Sequence, residues 1–503
     1  MPNGKFSDQE LYGFYKQVRN RLKKYEPNSL LNLIVEALHR ATHGGVDVLR
    51  NYQPWDLLLL AKWTVQEADS VSHRRPPASL NDLHQLLNLI FDLQGHVRMP
   101  NEYGHINLFM RHLAFRQFWL QYSFDGVAIA RQELLFCSLP VEHQFQRDFR
   151  RMTGLSCADF SELGWGLAAM FIGDQKRRVF HRENFLTLNA DFCARALDPF
   201  LRTISRSLNE LTELLSTQGE KKRSIMDQIL LPTPMVYFPI WKRGDDYIPF
   251  SPTLLYRAVE QFIYRTLKKN NPSEFSARFG NIFQRYVNDC LRDAHLTPLD
   301  ESSLTEMLGT GKCVDYLVRD RVCSVLIEAK GVEVSGLGRV AHEAEFVVQS
   351  IKASAVKAIR QGMDTARRLK ANGQHNSSQT YLLVVTYDAL HLGSNTDFTA
   401  MFGMKFIESL KMDFGDPLPI PIENVFFITI AELENLLAMI RENNTSWSQV
   451  MQRAQQNDSK PESHKFLFQQ HLDSMGIQVK RLPRIQSAVD ELCERCERRF
   501  IKQ

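Results

Sequence analysis

The feature that most limits how this chain can fold is an alternation of apolar runs and helical stretches in its second half. A hairpin-like segment, VDYLVRDRVCSVLIEAKG (314–331), is followed by a long helical pattern over about 343–371. The run YLLVVTY (381–387), an intervening helix and the run NVFFITI (424–430) come next. Strands separated by helices return in the same direction, so the order implies a sheet with a parallel component and helices against it. One more helix precedes them: FSARFGNIFQRYVNDCL puts Phe275, Phe279, Phe283, Tyr286, Val287 and Cys290 on one stripe. Thr429 and Glu432 have the spacing of a capping box for the helix after the last strand.

Residues 1–230 have another texture and read as almost entirely helical. Ser7 and Glu10 form a capping-box pattern ahead of Leu11, Phe14, Tyr15, Val18 and Leu22. Similar periodicity recurs near 29–42, 54–67, 79–94, 104–121, 125–137 and 194–217, without a fixed repeat length. TQGEKKRS (217–224) and LPTP (231–234) mark a boundary. VYFPIW and YIPF then flank a hairpin loop at 242–246, and Ser251-Pro252 opens a helix to about Lys269. The expectation is a multidomain chain: an all-α N-terminal region over 1–230, a hairpin-and-helix connector over 231–272, an α/β domain with a mixed central sheet over 273–441, and a peripheral helical extension over 442–503. QQNDSKPES (455–463) reads as an exposed linker in that extension.

Composition excludes more than it assigns. A net charge of +4 over 503 residues is close to neutral, so any nucleic-acid footprint has to be local. The start of the chain lacks a secretory apolar core, and the aliphatic run Leu57–Ala61 is far short of a bilayer span. A soluble, cytoplasmic protein without membrane contact is expected. Of the 8 cysteines, Cys137, Cys193, Cys290 and Cys323 lie in apolar settings and read as small buried hydrophobes. Cys493 and Cys496 form a C-x-x-C without a second ligand pair, which favours a polar terminal helix over zinc. Glu36, His39 and His43 share a helix face, but no second such helix supports a metal site. Arg74-Arg75, Lys176-Arg177-Arg178 and Glu220-Lys221-Lys222 read as solvated surface, and no phosphate-cradling G-x-x-x-x-G-K-[ST] loop is present.

The chemistry concentrates in the hairpin. With Asp320-Arg321 as a two-residue turn, Arg319 pairs with Val322 and Asp315 faces Leu326. Side chains alternate, so Asp315, Glu328 and Lys330 share one face, and Asp315 is a diagonal neighbour of Glu328 at roughly 7–8 Å. Two converging carboxylates suit a hard cation such as Mg²⁺ or Mn²⁺. A neighbouring lysine can orient water and offset charge on a phosphate. The plainer alternative is a structural ion pair of Lys330 with Glu328 or Asp315. On the following helix Lys357, Gln361, Asp364 and Arg368 share a face opposite Ile351, Ala355, Ile359, Gly362, Ala366 and Leu369. Lys352, Lys357, Arg360, Arg367, Arg368 and Lys370 make that region basic, as phosphate contacts or as a solvated face.

The pattern Asp315-x(12)-Glu328-x-Lys330, set between a leading helix and a trailing helix and strand, resembles the PD-(D/E)XK nuclease superfamily with its restriction-endonuclease-like fold. The resemblance covers about 270–440. It implies metal binding by Asp315 and Glu328 and a catalytic role for Lys330. It also implies roles for Gln361, on the helix after E-x-K, and for Gln284, which stands where the family often carries glutamate. An amide there binds a metal through its oxygen or holds a water but adds no charge. The activity implied is metal-dependent cleavage of nucleic acid, double-stranded DNA first, with the helical region contacting a protein trigger or partner subunit. The setting it suggests is bacterial anti-phage defence or restriction. The rival expectation is an inactive nuclease-fold scaffold or nucleic-acid-binding subunit, with Gln284 as its mark.

Overall fold

A computed structural model describes residues 8–43, 51–96, 106–121, 124–185, 192–339, 343–374, 379–393, 395–478 and 480–500, together with Val48 and Ala341. Ser7 of the expected capping box and the side chains of His43 and Cys193 lie outside the described residues. The chain is mostly helical and carries two mixed sheets, each in one of two compact units. The first unit comprises 1–99, 113–270 and 488–503; the second comprises 100–112 and 271–487. The expected connector therefore belongs with the helical region up to Asn270, and the C-terminal extension is shared between the units.

The first unit is built on helices whose apolar faces close over Leu31, Ile34, Leu57, Leu60, Trp63, Leu86 and Ile90, all essentially without exposure. It is not purely helical. β1 (Phe180–His181) and β2 (Ser205–Ser207) join the hairpin strands β3 (Ile240–Arg243) and β4 (Asp246–Pro249) in the order β1-β4-β3-β2. Two strands of two or three residues carry too little alternation to stand out in a helical sequence. The hairpin turns at Gly244 with φ of 59°, and Ser251 caps the next helix by accepting from the Leu254 N–H at 3.0 Å.

Two surface assignments are overturned in this unit. Glu220 is buried: its Oε2 lies 3.1 Å from Nζ of Lys62, which is itself 1% exposed and also donates to the Gln228 carbonyl. His39 is a buried core histidine with Nε2 2.9 Å from the Pro249 carbonyl oxygen, and Glu36 pairs with Arg40. The terminal helix Pro483–Phe500 is not peripheral. Leu492 and Cys496 are buried, and Arg495 and Arg499 pair with Glu133 and Glu162. Glu220 and the terminal helix find their partners far away in sequence, so a charged letter string looks solvated when read alone.

In the second unit β5 (Leu299–Asp300), β6 (Tyr316–Arg319), β7 (Cys323–Lys330), β8 (Gln379–Thr386) and β9 (Val425–Thr429) lie side by side in chain order. β5, β6 and β7 pair antiparallel, while β7, β8 and β9 are parallel, as the crossover helices demand. The helix Pro272–Asp293 buries its phenylalanine stripe, and Lys357–Ala371 buries Ile359, Gly362, Ala366 and Leu369. Gly362 is required there: a Cβ would stand 2.6 Å from a Leu382 methyl. Thr429 and Glu432 make the expected capping box. QQNDSKPES is exposed only in part: 459–462 are exposed beyond the helix Trp447–Asp458, whereas Asn457 and Asp458 end that helix buried beside His471. Among the described residues no helix is long and apolar enough to cross a membrane.

Candidate active site

β6 and β7 form the expected hairpin, with its turn one residue further along. Asp320 donates its N–H to the Cys323 carbonyl at 2.8 Å, leaving Arg321 and Val322 as the turn, and Arg319 pairs with Ser324 rather than Val322. The Asp320 carboxylate explains the shift: Oδ2 accepts from the N–H and hydroxyl of Ser448 at 3.3 Å, which holds Asp320 in the strand line. Moving a turn by one residue moves the register by two, so every side chain keeps its face. Tyr316 pairs with Ile327, and continuing that register sets Asp315 directly across from Glu328 instead of diagonal to it. The change brings the two carboxylates closer.

Both carboxylates are buried, Asp315 at 8% and Glu328 at 1% exposure. Asp315 Oδ2 accepts from the Ala329 N–H at 2.6 Å, and Oδ1 accepts from the Gln284 amide at 2.8 Å. Tyr316 donates its hydroxyl to the Gln284 carbonyl at 2.9 Å, tying the helix to the strand beside the site. Glu328 Oε1 pairs with Nζ of Lys330, and Oε2 is buried without a hydrogen-bond partner among the described residues. Gly331 follows, against the ring of Phe279, where a Cβ would stand 2.8 Å from Cδ1. The packing of that helix on the end of β7 therefore depends on a residue without a side chain.

Burial pushes both carboxyl groups up: Asp315 to about 6, against the opposing pull of the Ala329 N–H and Lys330, and Glu328 to about 7, with the charge of Asp315 adding to the rise. One ammonium faces two carboxylates. The unpartnered Oε2, the all-oxygen donor set and this deficit of positive charge together fit a hard divalent cation held by Asp315 and Glu328. Among the described residues no set of three or more His, Cys, Asp or Glu is grouped to hold an ion.

Four of the five expected site residues thus come together: Asp315, Glu328, Lys330 and Gln284. Gln361 does not touch the carboxylates. Its amide donates to the Cys313 carbonyl, one turn before Thr365, whose hydroxyl accepts from the Val314 N–H at 3.1 Å. Arg368 continues the row by donating to the carbonyls of Gly309 and Lys312. The helix face expected to meet substrate instead grips the segment leading into Asp315. Thr365 is recoverable from its spacing, four residues after Gln361 on the same helix. The basic face is also reduced: Arg360 pairs with Asp413 and Arg367 with Asp364, while Lys352, Lys357 and Lys370 stay exposed.

Compared with known proteins, the chain matches no protein-family model and no curated sequence.

Proposed function

We propose that the second unit is a metal-dependent phosphodiesterase of nucleic acid, of the PD-(D/E)XK nuclease kind, with double-stranded DNA as its first substrate class. The observation that carries this reading is the pairing of Asp315 with Glu328 across one hairpin, both buried, with Lys330 on the same strand face. Asp315 and Glu328 would hold Mg²⁺ or Mn²⁺, which when bound polarises a phosphoryl oxygen and makes a bound water more acidic. The Ala329 N–H and the Gln284 amide fix the plane of the Asp315 carboxylate. Lys330, drawn against Glu328 in this state, has an ammonium that is free to turn toward water or phosphate once the carboxylate charge is met. It then carries positive charge to the point where the phosphate gains negative charge. Gln361 acts through the backbone at Cys313, as a positioning residue.

Gln284 favours a second reading. It fills Asp315 Oδ1 with a neutral amide, and Lys330 closes on Glu328, so the site is internally satisfied apart from one oxygen. A scaffold that binds DNA without cutting it would look the same. The setting of an anti-phage effector rests on the family resemblance and the large helical region that the chain carries besides the site.

Plasmid and short duplexes incubated with the full chain in Mg²⁺ or Mn²⁺ decide between the two. Cleavage abolished by both Asp315→Ala and Lys330→Ala is the expected result. Cleavage that survives both substitutions refutes the site, and salt-dependent binding without cleavage selects the scaffold.

A further inference from the structure

A cavity of about 40 Å³ lies beside β9, the last strand of the second unit's sheet, and at the carboxyl end of β8. Crevices outside the carboxyl ends of parallel strands are where α/β sheets take ligands. Leu390, Phe426 and Phe468, all buried, form its apolar wall, and Asp458 with His471 its polar one. The segment 387–393 that leaves β8 and closes it is seated from behind. Arg111, on the helix Ile106–Arg116 and without exposure, donates Nη1 to the Leu390 carbonyl at 2.6 Å and Nη2 to the Gly338 carbonyl at 2.8 Å. The room is that of about three waters.

Asp458 has 7% exposure at the end of the helix Trp447–Asp458. Its Oδ1 lies 3.4 Å from Nε2 of His471 and accepts from the Lys465 N–H at 3.3 Å. The Asn457 amide lies 3.2 Å from His471 Nδ1, so with that amide donating, Nε2 carries the hydrogen shared with Asp458. Oδ2 is buried and has no hydrogen-bond partner among the described residues. Nor does a lysine or arginine side chain among them pair with Asp458, since Lys465 meets it through the backbone. His391, also at the cavity, brings no charge: burial first, and then the charge of Arg111, pushes its imidazole down to about 3. A water would satisfy Oδ2 and leave the carboxylate charge uncompensated, which is costly at this depth. An ammonium supplies hydrogen and charge together, and aromatic rings suit it as neighbours.

We propose that this cavity is a second binding site, which takes the primary ammonium of a short aliphatic amine. An N–H is donated to Asp458 Oδ2, and the alkyl stem rests against Leu390, Phe426 and Phe468. The site stands apart from the hairpin carboxylates and does not depend on the nuclease reading.

Thermal melts of the full chain in ethylammonium chloride, with NaCl and tetramethylammonium chloride at equal concentration as controls, test this. Ethylammonium should raise the midpoint by about 3 °C over NaCl and then saturate. Tetramethylammonium, which has the charge but no N–H, should match NaCl. Asp458→Asn keeps an acceptor for His471 and Lys465 and should lose the rise. Glu328→Gln should keep it, which separates this cavity from the hairpin. A wild-type midpoint no higher in ethylammonium than in NaCl means that a water or a proton meets Oδ2, and overturns the proposal whether or not Asp458→Asn folds. A rise shared by tetramethylammonium, retained by Asp458→Asn or lost in Glu328→Gln overturns it as well.

Discussion

Glu328→Gln should abolish cleavage and yet make the protein more stable at pH 8. Glu328 is 1% exposed, and its carboxyl is raised from 4.5 to about 7, first by burial and then by the charge of Asp315. The folded state therefore holds this proton more tightly than the unfolded chain. The stability it contributes is complete below the unfolded value near 4.5 and is lost as the pH rises through about 7. The span corresponds to about 3 kcal/mol at about 1.4 kcal/mol per pH unit. An amide of the same shape escapes that cost, less whatever the ion pair with Lys330 returned. For a unit of this size, about 3 kcal/mol moves the midpoint by roughly 6–12 °C, so a rise of several degrees is expected. Thermal melts of both proteins in EDTA from pH 4.5 to 8.5 measure it: the curves should coincide at the acid end, separate between about pH 4.5 and 7, and run parallel above that. Added Mg²⁺ should then raise the wild-type midpoint and leave the variant where it is. A variant that melts lower than wild type at pH 8, or by an offset independent of pH, would refute the account of an under-compensated carboxylate pair.

Gln284→Glu replaces the amide that donates to Asp315 with a third carboxylate, so melting in EDTA at pH 8 should fall and the stabilisation by Mg²⁺ should steepen. Lys62→Met strands Glu220 beside Arg223 in the first unit and should cost about 3–5 kcal/mol in urea unfolding. Gly331→Ala drives a methyl toward Phe279 and should cost about 1–3 kcal/mol, with cleavage lost because the end of β7 must shift. Thr365→Val leaves the Val314 N–H buried without its acceptor; faster amide exchange at Val314, followed by mass spectrometry, checks it.

Periodic features of this fold are legible in the sequence, and long-range ones are not. The stripe from Phe275 to Cys290 and the shared face of Asp315, Glu328 and Lys330 follow from helical and strand periods alone. The turn falls one residue from its expected place because Ser448, remote in sequence, holds Asp320, yet the face survives since register slips two residues when a turn slips one. Glu220 and the QQND stretch look solvated because burial of a polar group is decided by partners such as Lys62 and His471, which no local window contains. Arg111 gives no signal for the same reason, since its acceptors are two carbonyls in the other half of the chain.

The way the two units share the chain bears on how the protein is made. Residues 106–112, needed by the second unit, are synthesised before any of its strands, while the first unit lacks Arg495 and Arg499 until nearly everything else has emerged. Neither unit can complete its packing on the ribosome in simple N-to-C order, and contacts of this sequence separation slow folding. Asp315 and Glu328 meet early, within one hairpin. The arginine that steadies the loops around them waits more than two hundred residues for its acceptors. A fragment cut at Asn270 to isolate the second unit would carry the carboxylates and omit that arginine.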